Sequence, residues 1–567
     1  MLFFDPSVVP LSPPSNYRRN LAMRVDLLQR LCLSLVLLAG CGEDGTDPVD
    51  TDQPDVVVDQ DQGEPSDVPS GLLKLSIFKT GDGGLVRSEP VGIECGSTCF
   101  AEFPAGTEVQ LFAEPDSGFR FTGFGGDCEG LNACKLTMDE AKEVGVTWKP
   151  YAPSLIWSVG AGGSGDDGLT AIAATSDDAV FVTGVSQSND FKWGDTEFSA
   201  DFDTGSFFVA KVSGQGELIW QKEFALPEEP CSPPLVASDP SGNAVIAGIA
   251  GPETDLSGAL GVPSHGEGTF LAQVASDGTV NWYTLFEGGC INALKVNEDG
   301  RIAIAGKVKM EGANFGGETH TTSANATSAF VAVFDNTGLT QWSRVFATQE
   351  LDVAEAYDLV FSDDGGVTLV AFFQNTGNVS FGGDVLPDGH AMVVAHYDSE
   401  GGHVWSKPFG GVYSHLRRLV RGAKGTFYVA GWESPGAAQE NFVARLNAEG
   451  DEVARWEFPL EEKQEPVALI PAAAGFYFVG RTYDPYENQE NFFLLRMTED
   501  FLIEYSMDLG GTHADILQSA ILTENQTLLL AGSSNSASIE IGEGSFTNEG
   551  GGKDTPSVVM LLRLGEL

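Results

Sequence analysis

The sequence predicts an all-β fold: a seven-bladed β-propeller preceded by a small disulfide-linked β domain and a disordered acidic linker. Three observations carry this. An apolar strand recurs seven times in the last four hundred residues. A second apolar strand precedes each copy and usually ends in glycine, and an aromatic residue follows after a short turn. Four cysteines cluster ahead of the repeats, and an acidic run without basic residues lies ahead of the cysteines.

The recurring strands are FVAKV (208–212), FLAQV (270–274), FVAVF (330–334), VVAHY (393–397), FVARL (442–446), FLLRM (493–497) and MLLRL (560–564), separated by 62, 60, 63, 49, 51 and 67 residues. Their preceding strands are VFVTG, VIAGI, IAIAG, TLVAF, FYVAG, FYFVG and LLLAG. The turn that follows often holds a glycine, at Gly216, Gly278, Gly338, Gly401 or Gly450. The aromatics are Trp220, Trp282, Trp342, Trp405, Trp456 and Tyr505. A four-residue turn with glycine closes a tight hairpin, and one further strand upstream, such as LTAIAAT or CINALKV, brings each unit to four strands. Sequential four-stranded units of this period indicate a propeller over residues 151–567. The seventh unit lacks its outer strand, and LIWSVG (155–160) is expected to supply it, closing the ring.

The repeats resemble bacterial β-propeller repeats of large exported proteins, most clearly from Trp157 through Asp167. VAKVSGQGELIW resembles the tryptophan-docking repeat of quinone-dependent dehydrogenase propellers. The second copy lacks the lysine, and no vicinal cysteine pair is present to stack on a quinone, so shared packing explains that likeness.

The chain carries 31 basic and 81 acidic residues, a formal net charge of -50. Such a surface repels phosphate backbones, which excludes nucleic acid as a partner. Residues 31–40, LCLSLVLLAG, are too short to span a bilayer and read as a signal-peptide core. With Cys41, the segment Leu38-Ala39-Gly40-Cys41 resembles the lipobox of bacterial lipoproteins. That resemblance implies a signal peptide over 1–40, loss of Cys32 with it, and palmitate-type acylation of Cys41. Met23 opens a more usual charged leader than Met1 and is an alternative start. Between Glu43 and Asp67 stand ten acidic and no basic residues, so 41–70 reads as an extended, disordered spacer.

Residues 71–150 alternate apolar and polar positions between glycine turns, as short antiparallel strands do. Cys95, Cys99, Cys128 and Cys134 allow three disulfide connectivities. The local pairs Cys95 with Cys99 and Cys128 with Cys134 are favoured over a zinc site, because each closes a loop without fixing the sheet register. The passage from GLVRSEPVGIEC to ACKLTMDEAKEVGVTW resembles the divergent internalin-B-type repeat of bacterial surface proteins. What this implies is a small spacer or adhesive β module without catalysis. Cys231 and Cys290 occupy similar places in neighbouring units, and a bridge between them is expected.

No nucleophile elbow, HExxH helix or Walker loop occurs. His390, His396 and His403 cluster in the fourth copy without zinc spacing and read as a polar strand surface. Asp166, Asp167, Asp201, Asp203, Glu298, Asp299, Asp363 and Asp364 supply oxygens near glycines, so calcium could bind, although no cofactor is required. The reading is of a lipid-anchored protein of the bacterial cell envelope, at the outer membrane or cell surface. Its propeller is expected to bind a protein or glycan, or to act as a scaffold, with no catalytic residues. A hydrolase or lyase acting on an extracellular polysaccharide is the alternative.

Overall fold

A computed structural model of the chain describes residues 71–565. Segments 199–204, 226–230, 251–267, 309–311, 347–352, 375–378, 388–390, 435–439, 460–462, 485–488 and 549–554 are left out, with single or paired residues elsewhere. The signal segment, Cys41 and the acidic spacer lie outside the described residues, as do Asp201, Asp203 and His390.

Apart from one three-residue 3-10 turn, every element among the described residues is a strand. The first six repeats each contribute four strands and the seventh contributes three, with Ser154–Gly162 as its fourth, and each antiparallel sheet keeps the order first, second, third, fourth in space. In the first unit these are Asp167–Ala174, Val180–Ser186, Ser206–Val212 and Leu218–Ala225. The second and third strands are apolar on both faces because they lie between neighbouring units. Val180, Phe181, Val182, Val209 and Ala210 are all sealed from solvent. Fourth strands are only partly buried, and those of the first five units leave an edge open, with Ile219, Val404 and Val453 about half exposed there.

Ten sheets are present among the described residues: five of four strands, one each of eight, six and three, and two short hairpins. Each is open with two edge strands, and none closes into a barrel or curls on itself. This corrects the closed seven-bladed β-propeller expected from the repeats: the fold is all-β, in separate open sheets. The physical reason is strand number, since a twisted four-stranded sheet is too narrow for its own edges to meet. Nor are the sheets equal. The six-stranded sheet gathers Ser154–Gly162, Val558–Gly565, Leu528–Ser534, Asp515–Leu522 and a hairpin (191–198) borrowed from the first unit. The expected neighbour of the last strand is found there, with Trp157 opposite Arg563 and Val159 opposite Leu561. The eight-stranded sheet joins the sixth unit to four strands of residues 72–150 through one pair, Tyr505 with Arg120.

What the seven units share is an inner wall. First strands of successive units lie side by side, and Asp515–Leu522 of the seventh lies beside Asp167–Ala174 of the first.

Tryptophans staple one unit to the next. The indole Nε1 of Trp157, Trp220, Trp282, Trp342 and Trp405 donates to a turn carbonyl of the following unit: Gly214 (2.8 Å), Ser276 (3.0 Å), Asn336 (3.1 Å), Ser399 (3.2 Å) and Ala448 (3.1 Å). Each ring lies against the left-handed glycine of that turn, for example Gly338 at φ 81° under Trp282. This is why turn glycine and strand tryptophan recur together in the sequence. In the sixth unit Phe501 takes the left-handed position at φ 63° and packs on Tyr428 and Phe476.

Residues 72–150 form seven strands around Leu75, Val86, Leu111, Phe121, Val146 and Trp148. They are not all antiparallel as expected: Leu72–Thr80 runs parallel to Lys142–Pro150. Three disulfides are present among the described residues, Cys95–Cys99, Cys128–Cys134 and Cys231–Cys290, with Cα separations of 4.2, 5.7 and 5.6 Å. No helix among the described residues is long and apolar enough to cross a membrane.

Candidate functional site

The first strands surround a cavity of about 190 Å³ lined by residues of all seven units, among them Thr170, Leu235, Asn292, Tyr357, Arg418, Val467 and Gln518. A register irregularity positions this lining. In six units the first strand carries one extra residue against the second strand. The skipped residues are Thr170, Asn292, Tyr357, Arg417, Val467 and Gln518. A bulge bends its strand and re-aims the extra side chain. The glycine that ends most second strands has its explanation here. A Cβ on Gly306, Gly431 or Gly532 would lie about 2 Å from the first-strand carbonyl of Cys290, His415 or Ile516.

The bulged residues differ in chemistry while their surroundings repeat. Asn292 donates to the Glu355 carboxylate and the Ala356 carbonyl, both at 2.9 Å, and Glu355 pairs with Lys307 at 2.8 Å. Arg417 stacks on the Tyr357 ring, 4.7 Å from its centroid. Burial raises the Tyr357 hydroxyl pKa, and Glu355 adds to this while Arg417 opposes it. Arg418 donates from Nε to the Val467 carbonyl and from Nη1 to the Arg417 carbonyl at 3.0 Å. Burial lowers its pKa, with Asp358 acting against the shift. A guanidinium nevertheless stays charged at neutral pH. Asp358 accepts from the amides of Leu359 and Leu419 at 2.9 and 3.0 Å and lies 3.9 Å from Lys295.

His415 is sandwiched at this end of the strand, parallel to Phe372 and 4.1 Å from the Trp432 ring. Burial lowers its pKa first and Arg417 second. Below the cavity, a space of about 330 Å³ shares Lys295 and is walled by Glu298, Asp299, Asp363 and Arg421.

The residues singled out from sequence fall elsewhere. His396 is buried, not a strand-surface residue: its Nδ1 meets Thr368 Oγ1 at 2.9 Å and its ring stacks on Trp405. His403 Nε2 meets Ser406 Oγ at 3.2 Å, so the two described histidines of that cluster serve different contacts. Asp167 is buried beneath its glycine loop, accepting from the Gly163 amide at 2.8 Å and Ser188 Oγ at 2.7 Å. Asp166 binds the Ser557 amide at 2.9 Å, Asp363 pairs with Arg421 at 2.6 Å, and Asp364 bonds Ser362 and the Gly366 amide. Among the described residues no group of three or more His, Cys, Asp or Glu side chains is placed to hold a metal. The six bridged cysteines are brought together in pairs away from the cavity lining. Sequence reasoning missed the cavity residues, whose one signal is the glycine that ends most second strands, opposite the bulge.

Residues 94–152 match the model of the divergent InlB B-repeat domain. No curated protein matches the chain. Among solved structures, a protein of unknown function from Dyadobacter fermentans is 13% identical, with 73% of this chain and 99% of that chain covered at a TM-score of 0.35. The β-propeller domain of the Trilobed protease from Pyrococcus furiosus is 8% identical, with coverages of 67% and 95% and a TM-score of 0.37. An acylaminoacyl peptidase from Pyrococcus horikoshii is 10% identical, with coverages of 70% and 52% and a TM-score of 0.38. These give the chain a distant, generic likeness to β-repeat and propeller-like folds.

Proposed function

We propose that the chain is a non-catalytic recognition module of the bacterial cell envelope, exported by its first forty residues and attached through an acylated Cys41. In this reading 41–70 is the spacer and 71–150 a disulfide-braced stalk. The inner wall of the repeats then takes a ligand borne on a protein or glycan. One observation carries the reading. A repeated scaffold places Thr170, Asn292, Tyr357, Arg417, Val467 and Gln518 at equivalent bulges, all but Arg417 lining one cavity, and no two of them are the same residue. Packing alone would be served by the same residue at each bulge, as it is served by similar apolar residues in the second and third strands. A few unlike polar groups among apolar ones, converging on a concavity, are the usual make-up of a recognition site.

The test is binding of the full chain to glycan and peptide arrays, followed by prolonged incubation with each ligand found. Selective binding without conversion of the ligand is expected. Steady accumulation of a cleaved product would replace this reading with a hydrolase or lyase. Acylation is tested separately, by palmitate labelling of the full chain, which a Cys41→Ser change should abolish.

A further inference from the structure

We propose that the cavity binds a small carboxylate-bearing ligand of about uronic-acid size, with the Arg418 guanidinium that lines it receiving the carboxylate and the Arg417 guanidinium, stacked on the lining Tyr357, adding positive charge beside it. This rests on the recognition reading above and names the ligand class.

The argument begins with unspent donors. Arg418 engages only Nε and one hydrogen of Nη1, both on backbone carbonyls, and forms no ion pair among the described residues. Its Nη2 has no acceptor there, yet is not sealed from solvent. Arg417 stacks on Tyr357 and likewise makes no ion pair among the described residues. A guanidinium whose Nε side is occupied still offers the Nη1–Nη2 edge, and that edge matches the two oxygens of a carboxylate.

Charge supports the same direction. The chain has 81 acidic residues for 31 basic ones, so carboxylates are plentiful for neutralising buried cations. In the cavity lining, however, Arg418 and Lys295 stand with Asp358 alone, Arg417 adds its charge from the Tyr357 ring, and both Asp358 oxygens already hold backbone amides. The nearby Glu355 and Glu465 are committed to Lys307 and Arg481, at 2.8 and 2.7 Å. The cationic surplus is local, in a molecule whose overall field repels anions, and a ligand anion would complete it.

Size and the remaining wall set the rest of the ligand. A volume of about 190 Å³ falls below the several hundred Å³ of drug-sized pockets and suits a single sugar ring. The Tyr357 hydroxyl and the Gln518 amide make no hydrogen bond among the described residues, and both line the cavity. They can pair with ring hydroxyls, while Leu235 and Val467 supply an apolar side.

The experiment is calorimetric titration of the full chain with glucuronate, galacturonate, glucose, acetate and sulfate. A uronate should bind at least about tenfold more tightly than glucose or sulfate. Arg418→Lys keeps the charge but loses the planar fork, and Arg417→Gln removes the second guanidinium without touching the Val467 contact. Each should weaken uronate binding about tenfold, with unchanged far-ultraviolet circular dichroism showing that the fold is kept. Acetate binding as tightly as uronate would keep the carboxylate site and assign it to free organic acids. Three results would overturn the proposal: no uronate binding at about 10 mM, glucose or sulfate binding equally well, or affinities indifferent to both variants. Array binding that persists in both variants would sink this inference while leaving the recognition reading in place.

Discussion

The staples between units yield a graded prediction with an internal control. Replacing Gly278 by alanine puts a methyl group 3.4 Å from the Trp220 ring, an ordinary contact, at a residue with φ 88°. The same change at Gly338, Gly401 or Gly450 puts the methyl 2.7, 2.6 or 2.5 Å from Trp282, Trp342 or Trp405, with φ near 81° at each. All four variants meet the left-handed backbone penalty, roughly 1 kcal/mol. Only the last three also force the indole away, which adds about 1–3 kcal/mol and strains the indole hydrogen bond. Gly278→Ala should therefore cost about 1 kcal/mol and each of the others about 2–4 kcal/mol. A chain of this length need not unfold in one step. The assay is therefore hydrogen exchange of the two strands beside each staple, read with acrylamide quenching of tryptophan fluorescence. Four equal costs, or Gly278→Ala the costliest, would show that ring-on-glycine contact does not hold the units together.

Two further perturbations follow from covalent and ionic links. Removing Cys231–Cys290, which spans 59 residues, should cost about 4 kcal/mol, against about 2 kcal/mol for Cys95–Cys99, which spans 4. Urea midpoints of the paired serine variants check the order. Arg563 on the last strand bonds Asp178 of the first unit through Nη1 at 2.9 Å, and this bond, followed by the Arg563 charge, holds the Asp178 pKa below its ordinary value. Because the folded value is the lower one, the link stabilises above the ordinary carboxylate range and is lost as pH falls through the folded value. Exchange protection of residues 154–162 should then decline on acidification in the native chain and stay flat in Asp178→Asn; equal acid sensitivity would refute the latch.

How much of this was legible beforehand depends on what each feature needs. The second and third strands announce themselves because their apolar residues are local and contiguous, as in IAIAG and FVAVF. The pairing of 155–160 with the last strand was legible because a missing outer strand and a spare one with Trp157 must find each other. The openness of each sheet was not, because strand count and repeat period say nothing of which edges hydrogen-bond. Nor was the merging of the sixth unit with residues 72–150, which rests on the pair Tyr505 with Arg120 and on the bonds of Ser506 to Gly118 and Pro115. The histidines mislead because residue type was weighed without burial: His396 fills the place of Lys211, which is itself buried, and is held inside by Thr368 and Trp405. The cavity residues escaped notice because a bulge leaves no signature beyond the glycine opposite it, and that glycine was read only as a strand end.

That glycine allows the link between scaffold and cavity to be tested directly. A methyl group on Gly306 would fall 1.9 Å from the Cys290 carbonyl, a backbone atom that cannot rotate aside. In the fourth unit Ala371 stands at the equivalent place opposite Ala356, with the bulge at Tyr357 preserved. Alanine is thus compatible with a bulge whose first strand sits slightly farther off, and incompatible with the close approach of the third unit. Gly306→Ala should therefore displace Cys290–Val296 instead of abolishing its pairing, at a cost of about 2–3 kcal/mol. Because Asn292 is the bulged residue of that strand, the displacement should loosen its bonds to Glu355 and Ala356, both across the boundary with the fourth unit. Faster amide exchange in both 290–296 and 353–358 is the expected pattern. Faster exchange confined to 290–296 would mean that the bulge serves its own sheet only, and that the inner wall is not built by coupling one unit to the next.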